Sequence, residues 1–187
     1  TTPHSAIDPT HPDVKRAEII AIHVASTVGP TQLKYFPKLK HIACRSTGYD
    51  SVDVKAAAKR GIIVTNVPSY GEHTVAEYAI MLALTLMRRL PDTIAAVATG
   101  SISAGDLVGH ELAGKTLGVI GTGRIGQRMI QIGRGLSMRV IAHDVMPDYA
   151  RSIELGFEYC VLNDVLEQSD VVSLHVPATP RNRHLIN

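Results

Sequence analysis

Several things are scarce in this chain, and each scarcity removes a class of protein. There are two cysteines in 187 residues. Cys44 and Cys160 lie far apart, form no Cys-x-x-Cys pair and sit in apolar, strand-like runs, so a disulfide framework or a cysteine metal site is not expected. Two buried, reduced thiols are expected instead, which suits the cytoplasm. Charge of one sign is also lacking. Lys plus Arg number 19 and Asp plus Glu 17, a difference of two, and the basic residues are scattered, so no nucleic-acid surface is expected. Long hydrophobic runs are missing too. The most apolar stretch, Thr74 to Leu90, carries Glu77 and ends in Arg88-Arg89, too short and too charged to span a bilayer. His11, His23, His41, His73, His110, His143 and His184 show no metal-ligand spacing, and no internal repeat or low-complexity tract occurs. The chain opens without Met or a signal peptide and stops at Leu185-Ile186-Asn187 without a turn or tail signal. On those grounds it reads as part of a longer polypeptide.

What is present is a core-forming composition, 45% hydrophobic, organised around the stretch from Lys115 to Asp144. Thr116 to Ile120 is a short apolar run that ends in Gly121, Gly123 and Gly126 at GxGxxG spacing. A helical pattern follows, with Ile125, Met129, Ile130 and Ile132 on one side, then a second strand from Arg139 to His143, closed by Asp144. The spacing predicts a βαβ unit that holds a dinucleotide. Gly121 permits the tight turn, Gly123 lets backbone approach a pyrophosphate, and Gly126 lets helix pack on strand. The anion would sit on first-turn amides around Arg124 and Ile125. Asp144, about twenty residues on, can accept hydrogen bonds from a ribose 2′-hydroxyl, which favours NAD over NADP. The competing reading, a structural glycine turn, lacks a reason for the strand, helix and acid around it.

Before this unit, short apolar runs at Glu18–Val24, His41–Arg45 and Ile62–Thr65 alternate with helical stretches at Thr31–Leu39 and Val52–Lys59, with Gly61 as a C-cap. That alternation predicts a parallel α/β sheet. The stretch from Asn66 to Gly71 breaks the pattern. Thr74 to Leu90 then forms the longest helix, with a Thr74–Glu77 capping box and Pro91 as its stop. Apolar on most sides, it is expected to be buried at a domain junction or subunit interface. From Asp92 to Gly114 the pattern is weak and reads as a connection. After Asp144 come helices around Tyr149–Leu155 and Asn163–Gln168 and strands near Phe157–Val161 and Val171–Leu174. A doubly wound dinucleotide sheet has its crevice where the strand order reverses, so His175-Val176-Pro177 is expected at a strand end facing Gly121. The Val171–Leu174 strand would be an open edge.

Four blocks together resemble the D-isomer-specific 2-hydroxyacid dehydrogenases, and within them the D-lactate dehydrogenase-like branch. They are Arg45-Ser-Thr-Gly-Tyr-Asp50; Asn66-Val-Pro-Ser-Tyr-Gly71 running into Thr74-Val-Ala-Glu77; the Gly114 to Asp144 unit; and Ser173-Leu-His-Val-Pro177 with Arg183-His-Leu-Ile-Asn187. The resemblance implies residues 1–70 as part of a flavodoxin-like α/β substrate domain and 71–187 as the first half of a Rossmann-type NAD domain. It implies that Thr47, Gly48 and Tyr49 offer a nest to a substrate carboxylate and that Tyr70 either holds substrate or packs a hinge. Thr74, His175, Val176 and Pro177 match cofactor-contacting positions; for His175 a structural role at the strand end stays open. The implied reaction is reversible hydride transfer between NADH and a 2-oxo acid, with pyruvate and D-lactate favoured, in a homodimer joined through the region 74–90. The family's catalytic Arg, Glu and His fall downstream of the last block, so no acid/base residue is assigned here. A non-catalytic NAD(H)-binding regulator of the same fold, or an inactive fragment, is the alternative. Thr2-Pro3-His4-Ser5-Ala6 resembles the family's segment around the catalytic His but stands at the wrong end of the chain, and coincidence is the preferred reading.

Overall fold

The computed structural model describes residues 8–101, 105 and 107–186. The Thr2–Ala6 segment lies outside the described residues. The chain divides into two compact units, one made of the residues up to Tyr70 with the segment from Pro177 onward, the other of Gly71–Val176.

In the first unit, strands β1 (Ile19–Ile22), β2 (His41–Cys44) and β3 (Ile63–Thr65) pair in parallel in that order, joined by helices α1 (Pro30–Leu33) and α2 (Val54–Lys59). Parallel neighbours need a crossover between them, and the helical stretches supply it. The helix α1 is one turn long rather than reaching Leu39. Phe36 and Leu39 are nevertheless buried, and they pack with Val28, Leu33, Ile42 and Ile62 in this unit's core. Asp53 caps α2 by accepting from the Ala56 amide at 2.9 Å, and Gly61 takes the left-handed conformation just past its end, with φ at 68°.

In the second unit the sheet order is β6 (Glu158–Tyr159), β5 (Arg139–His143), β4 (Thr116–Ile120), β7 (Val171–Leu174), all parallel. The order reverses between β4 and β7, as in a doubly wound sheet, and β7 is an edge among the described residues. Alternation along β4 covers both faces with helix. An added Cβ on Gly126 or Gly133 of α5 (Arg124–Gly135) would meet Val119 or Leu117, whereas one on Gly118 would meet Val165 and Ser169 at the end of α7 (Leu162–Gln168). Leu117, Val119, Met129, Ile130, Val140 and Phe157 form the core on the α5 side.

Three expectations about the stretch from Thr74 onward need correction. The longest helix, α3, runs Glu72–Met87 with Gly71 at its N-cap and no side-chain cap. Thr74 therefore lies inside the first turn, and no Thr74–Glu77 box forms. The helix is not buried on most sides either. Ala76 and Ile80 enter the core, while Tyr78, Met81, Leu82 and Leu86 (73%) are exposed. Finally, the weak stretch after Pro91 begins with α4 (Leu90–Thr99), because a proline in the first turn costs no intrahelical hydrogen bond. Both cysteines are free thiols; Cys44 is buried and Cys160 only half-buried. No helix among the described residues is long and apolar enough to cross a membrane.

Replacing fully buried Met129 by Ala is expected to cost about 2–5 kcal/mol, against within about 0.5 kcal/mol for Ile153→Ala at an 84% exposed site, in chemical denaturation monitored by circular dichroism.

Candidate functional site

The parallel register aligns three strand ends. Ile120 pairs with His143 on one side and Leu174 on the other. The Gly121 amide then donates to the His143 carbonyl at 2.8 Å, and the His175 amide to the Ile120 carbonyl at 2.8 Å. The segments leaving β4, β5 and β7 thus emerge together, where the end of a parallel sheet offers unpaired backbone groups.

The three glycines of the turn answer to different constraints. Gly121 has φ at 93°, and an added Cβ would stand 2.6 Å from the His175 carbonyl oxygen and 2.9 Å from a Val176 methyl. It therefore serves the close approach of the β7 end as much as the turn. At Gly126 an added Cβ would stand 2.0 Å from the Gly121 carbonyl oxygen, so helix and turn can meet only at glycine. Gly123 differs, because nothing in the protein lies within 4 Å of where its Cβ would be. Packing does not require that glycine. It opens α5 as its N-cap, exposed beside Arg124, while half-buried Ile125 anchors the first turn in the core. An open backbone ridge at the positive end of a twelve-residue helix fits a phosphate-bearing ligand.

Asp144 is half-buried at the β5 end, and its carboxylate is already held. Its Oδ2 accepts from the Thr122 amide at 2.6 Å and the Thr122 hydroxyl at 2.9 Å, and its Oδ1 accepts from the Met146 amide at 2.9 Å. Burial alone would raise its pKa. The three donated hydrogen bonds, with a smaller contribution from His143, outweigh burial and hold the carboxyl below the ordinary carboxylate range. Asp144 is thus an anion that keeps acceptor capacity on Oδ1 for a neutral hydroxyl and repels a second anion. Behind it the Thr122 hydroxyl meets the Tyr159 hydroxyl at 2.8 Å, and Gln127 Nε2 ties the loop by donating to the Thr122 carbonyl at 3.0 Å.

His175 sets its Nε2 2.9 Å from the Ser173 hydroxyl, and burial pushes its pKa down, so its ring is neutral near pH 7. Thr74 is exposed in the first turn of α3. Pro177 groups with the first unit. There, the Thr47–Tyr49 turn follows β2. Buried Ser46 donates to the Gly48 carbonyl at 2.7 Å, and Asn66 Nδ2 donates to the Thr47 carbonyl at 2.7 Å. These bonds occupy two of the turn's carbonyls. Tyr49 and Tyr70 are exposed, Tyr70 at 63%. The sequence alone assigns no role to Thr122 or Tyr159, and Ser46 and Asn66 enter it only as members of the family-like blocks. Thr122 sits inside the glycine motif, where its hydroxyl was the available signal, whereas Tyr159 is 37 residues away from it and carries no local pattern.

Comparison with known proteins bears on this geometry. Residues 80–187 match the family model for the D-isomer specific 2-hydroxyacid dehydrogenase, NAD binding domain. Among curated proteins the chain is 44% identical over 149 residues to the D-lactate dehydrogenase of Escherichia coli, covering 80% of this chain and 45% of that protein. It is 37% identical over 174 residues to a D-3-phosphoglycerate dehydrogenase of Mycobacterium bovis, covering 93% of this chain and 33% of that one. Among solved structures, the D-lactate dehydrogenase from Aquifex aeolicus complexed with NAD and lactic acid superposes with a TM-score of 0.88 at 39% identity, over 94% of this chain and 53% of that one. The chain thus spans about half the length of these relatives or less. The reversed strand order, the glycine turn with its acid, and these matches agree: the chain belongs to the D-isomer-specific 2-hydroxyacid dehydrogenase family and carries part of its NAD-binding domain.

Proposed function

We propose that the protein reduces a 2-oxo acid to the D-2-hydroxy acid with NADH, reversibly, and that pyruvate and D-lactate are its substrates. The observation that carries this reading is the Asp144 carboxylate held on Thr122, next in sequence to the open Gly123 ridge, at the end of a parallel sheet. In it, Gly121, Gly123, Arg124, Ile125 and Gly126 receive the pyrophosphate, and Asp144 takes the adenosine ribose. Thr74, His175, Val176 and Pro177 contribute further cofactor contacts. Bound NAD supplies the hydride acceptor or donor. The protein's own part is to fix the adenosine end, so that the nicotinamide is presented in one place. Residues 1–70 are read as substrate domain, with Thr47, Gly48, Tyr49 and Tyr70 on the acid, and 71–187 as cofactor domain. The resemblance to D-lactate dehydrogenases at 44% and 39% identity supports the substrate. The similarity to D-3-phosphoglycerate dehydrogenases makes a phosphorylated 2-hydroxy acid the competitor.

The exposed apolar side chains of α3 and α4, among them Tyr78, Met81, Leu86, Ile94 and Val97, support assembly as a homodimer through this region. In sedimentation velocity at micromolar concentration a dimer is expected, and a monomer would remove that part of the reading.

Substitution of the glycines separates folding from binding. Gly126→Ala is expected to unfold or strongly destabilise the nucleotide unit. Gly123→Ala should keep the wild-type melting temperature within a few degrees yet weaken NADH about tenfold or more in fluorescence titration. Equal NADH affinity for Gly123→Ala and wild type would count against the phosphate placement. With the full-length protein, NADH oxidation in the presence of pyruvate, glyoxylate, hydroxypyruvate and its 3-phosphate, run in parallel, should be fastest with pyruvate. Absence of turnover with every 2-oxo acid, alongside retained NADH binding, would favour the non-catalytic regulator.

A further inference from the structure

The hydrogen bonds around Asp144 can be given a direction. The carboxylate only accepts, so the Thr122 hydroxyl, 2.9 Å from Oδ2, must spend its proton on Asp144. In its 2.8 Å contact with Tyr159 the same hydroxyl is therefore the acceptor, and the Tyr159 hydroxyl donates. The Tyr159 oxygen in turn accepts from the Asp148 amide at 3.2 Å, a group with no second polarity. Both ends of the chain are fixed. One order remains: Asp148 amide to Tyr159, Tyr159 to Thr122, Thr122 to Asp144. The aromatic ring is itself held, edge to face, by Phe157 at 4.9 Å and Tyr149 at 5.6 Å.

We propose that Tyr159 is a positioning residue for the adenosine half of the cofactor, which backs the Thr122 hydroxyl onto Asp144 and so keeps the carboxylate turned for the adenosine ribose of NAD. It touches no reacting atom. Without its donated proton the Thr122 hydroxyl still donates to Asp144, but its oxygen is no longer fixed from behind, and of the three groups that hold Asp144 the hydroxyl is the one whose orientation loosens while the two amides stay. A one-way chain of this kind is stronger than its separate bonds, because each donated proton polarises the next hydroxyl. The segment that closes the strand-and-helix pair from Asp148 to Tyr159 thereby reaches the ribose end of the site, although nothing in the glycine motif points to it. The proposal rests on the reading above that Asp144 receives the ribose.

The test uses the full-length protein and Tyr159→Phe, which keeps the ring between Phe157 and Tyr149 and removes only the hydroxyl. Affinities for NADH and for reduced nicotinamide mononucleotide, which lacks the adenosine, are measured by fluorescence titration. NADH should weaken about three- to tenfold, as for loss of one hydrogen bond in a charged chain, with the mononucleotide unchanged. Thr122→Val should do the same, Thr122→Ser should restore wild-type affinity, and the Tyr159→Phe, Thr122→Val double variant should be no weaker than the worse single one. Unchanged NADH affinity in Tyr159→Phe would overturn the proposal, as would a parallel loss for both ligands or additive effects of the two substitutions. Should Tyr159→Phe fail to fold, the contrast of Thr122→Val with Thr122→Ser decides on the same two ligands. If wild type itself does not bind NADH, the underlying assignment of Asp144 falls instead.

Discussion

The contact on which the nucleotide unit depends is that of Gly126 with the Gly121 carbonyl, where a single methyl group would stand 2.0 Å from the oxygen. That approach seats the first turn of α5 on the end of β4. The rest follows from it. The amide of Gly121 can then continue the ladder to His143, the end of β7 can pass against Gly121, and the N-terminus of α5 faces outward. A chain with any larger residue at position 126 would have to lift the helix from the sheet, and the buried contacts of Met129 and Ile130 would go with it.

Against this fixed frame the polar part of the site is economical. Asp144 gathers two amides and one hydroxyl, which keep it ionised in spite of burial. An ionised acceptor suits a sugar hydroxyl and disfavours a phosphate at the same place, so in the function proposed above one residue both binds and discriminates. The glycine at position 123 has the opposite character. It makes no demand on packing, since nothing in the protein lies within 4 Å of where its Cβ would stand.

Much of this was legible in the sequence because it is written in local patterns. The βαβ unit, the order reversal at β7 and the placement of His175 beside Gly121 all follow from periodicity, glycine spacing and the strand order of a doubly wound sheet. What escaped was decided by tertiary structure. The cap of α3 lies three residues upstream of Thr74, where Gly71 supplies the turn, and a threonine three residues before a glutamate could not reveal that. The burial of α3 was overstated since apolar content says that a face wants cover but not which chain provides it. The helix α4 was missed because Pro91 was read as a stop rather than a first-turn residue. The partnership of Thr122 and Tyr159 joins positions 37 apart, and only the fold brings them within hydrogen-bond distance.

The measurement that bears most directly on the account is the map of backbone amide chemical shifts on adding NAD to the protein. The account predicts the largest changes at Gly123, Arg124, Ile125 and Met146, the amides that border the glycine ridge and the Asp144 carboxylate. Changes confined to the groove between α1 and α2 around Lys34, Lys55 and Lys59, or no changes at all, would contradict it.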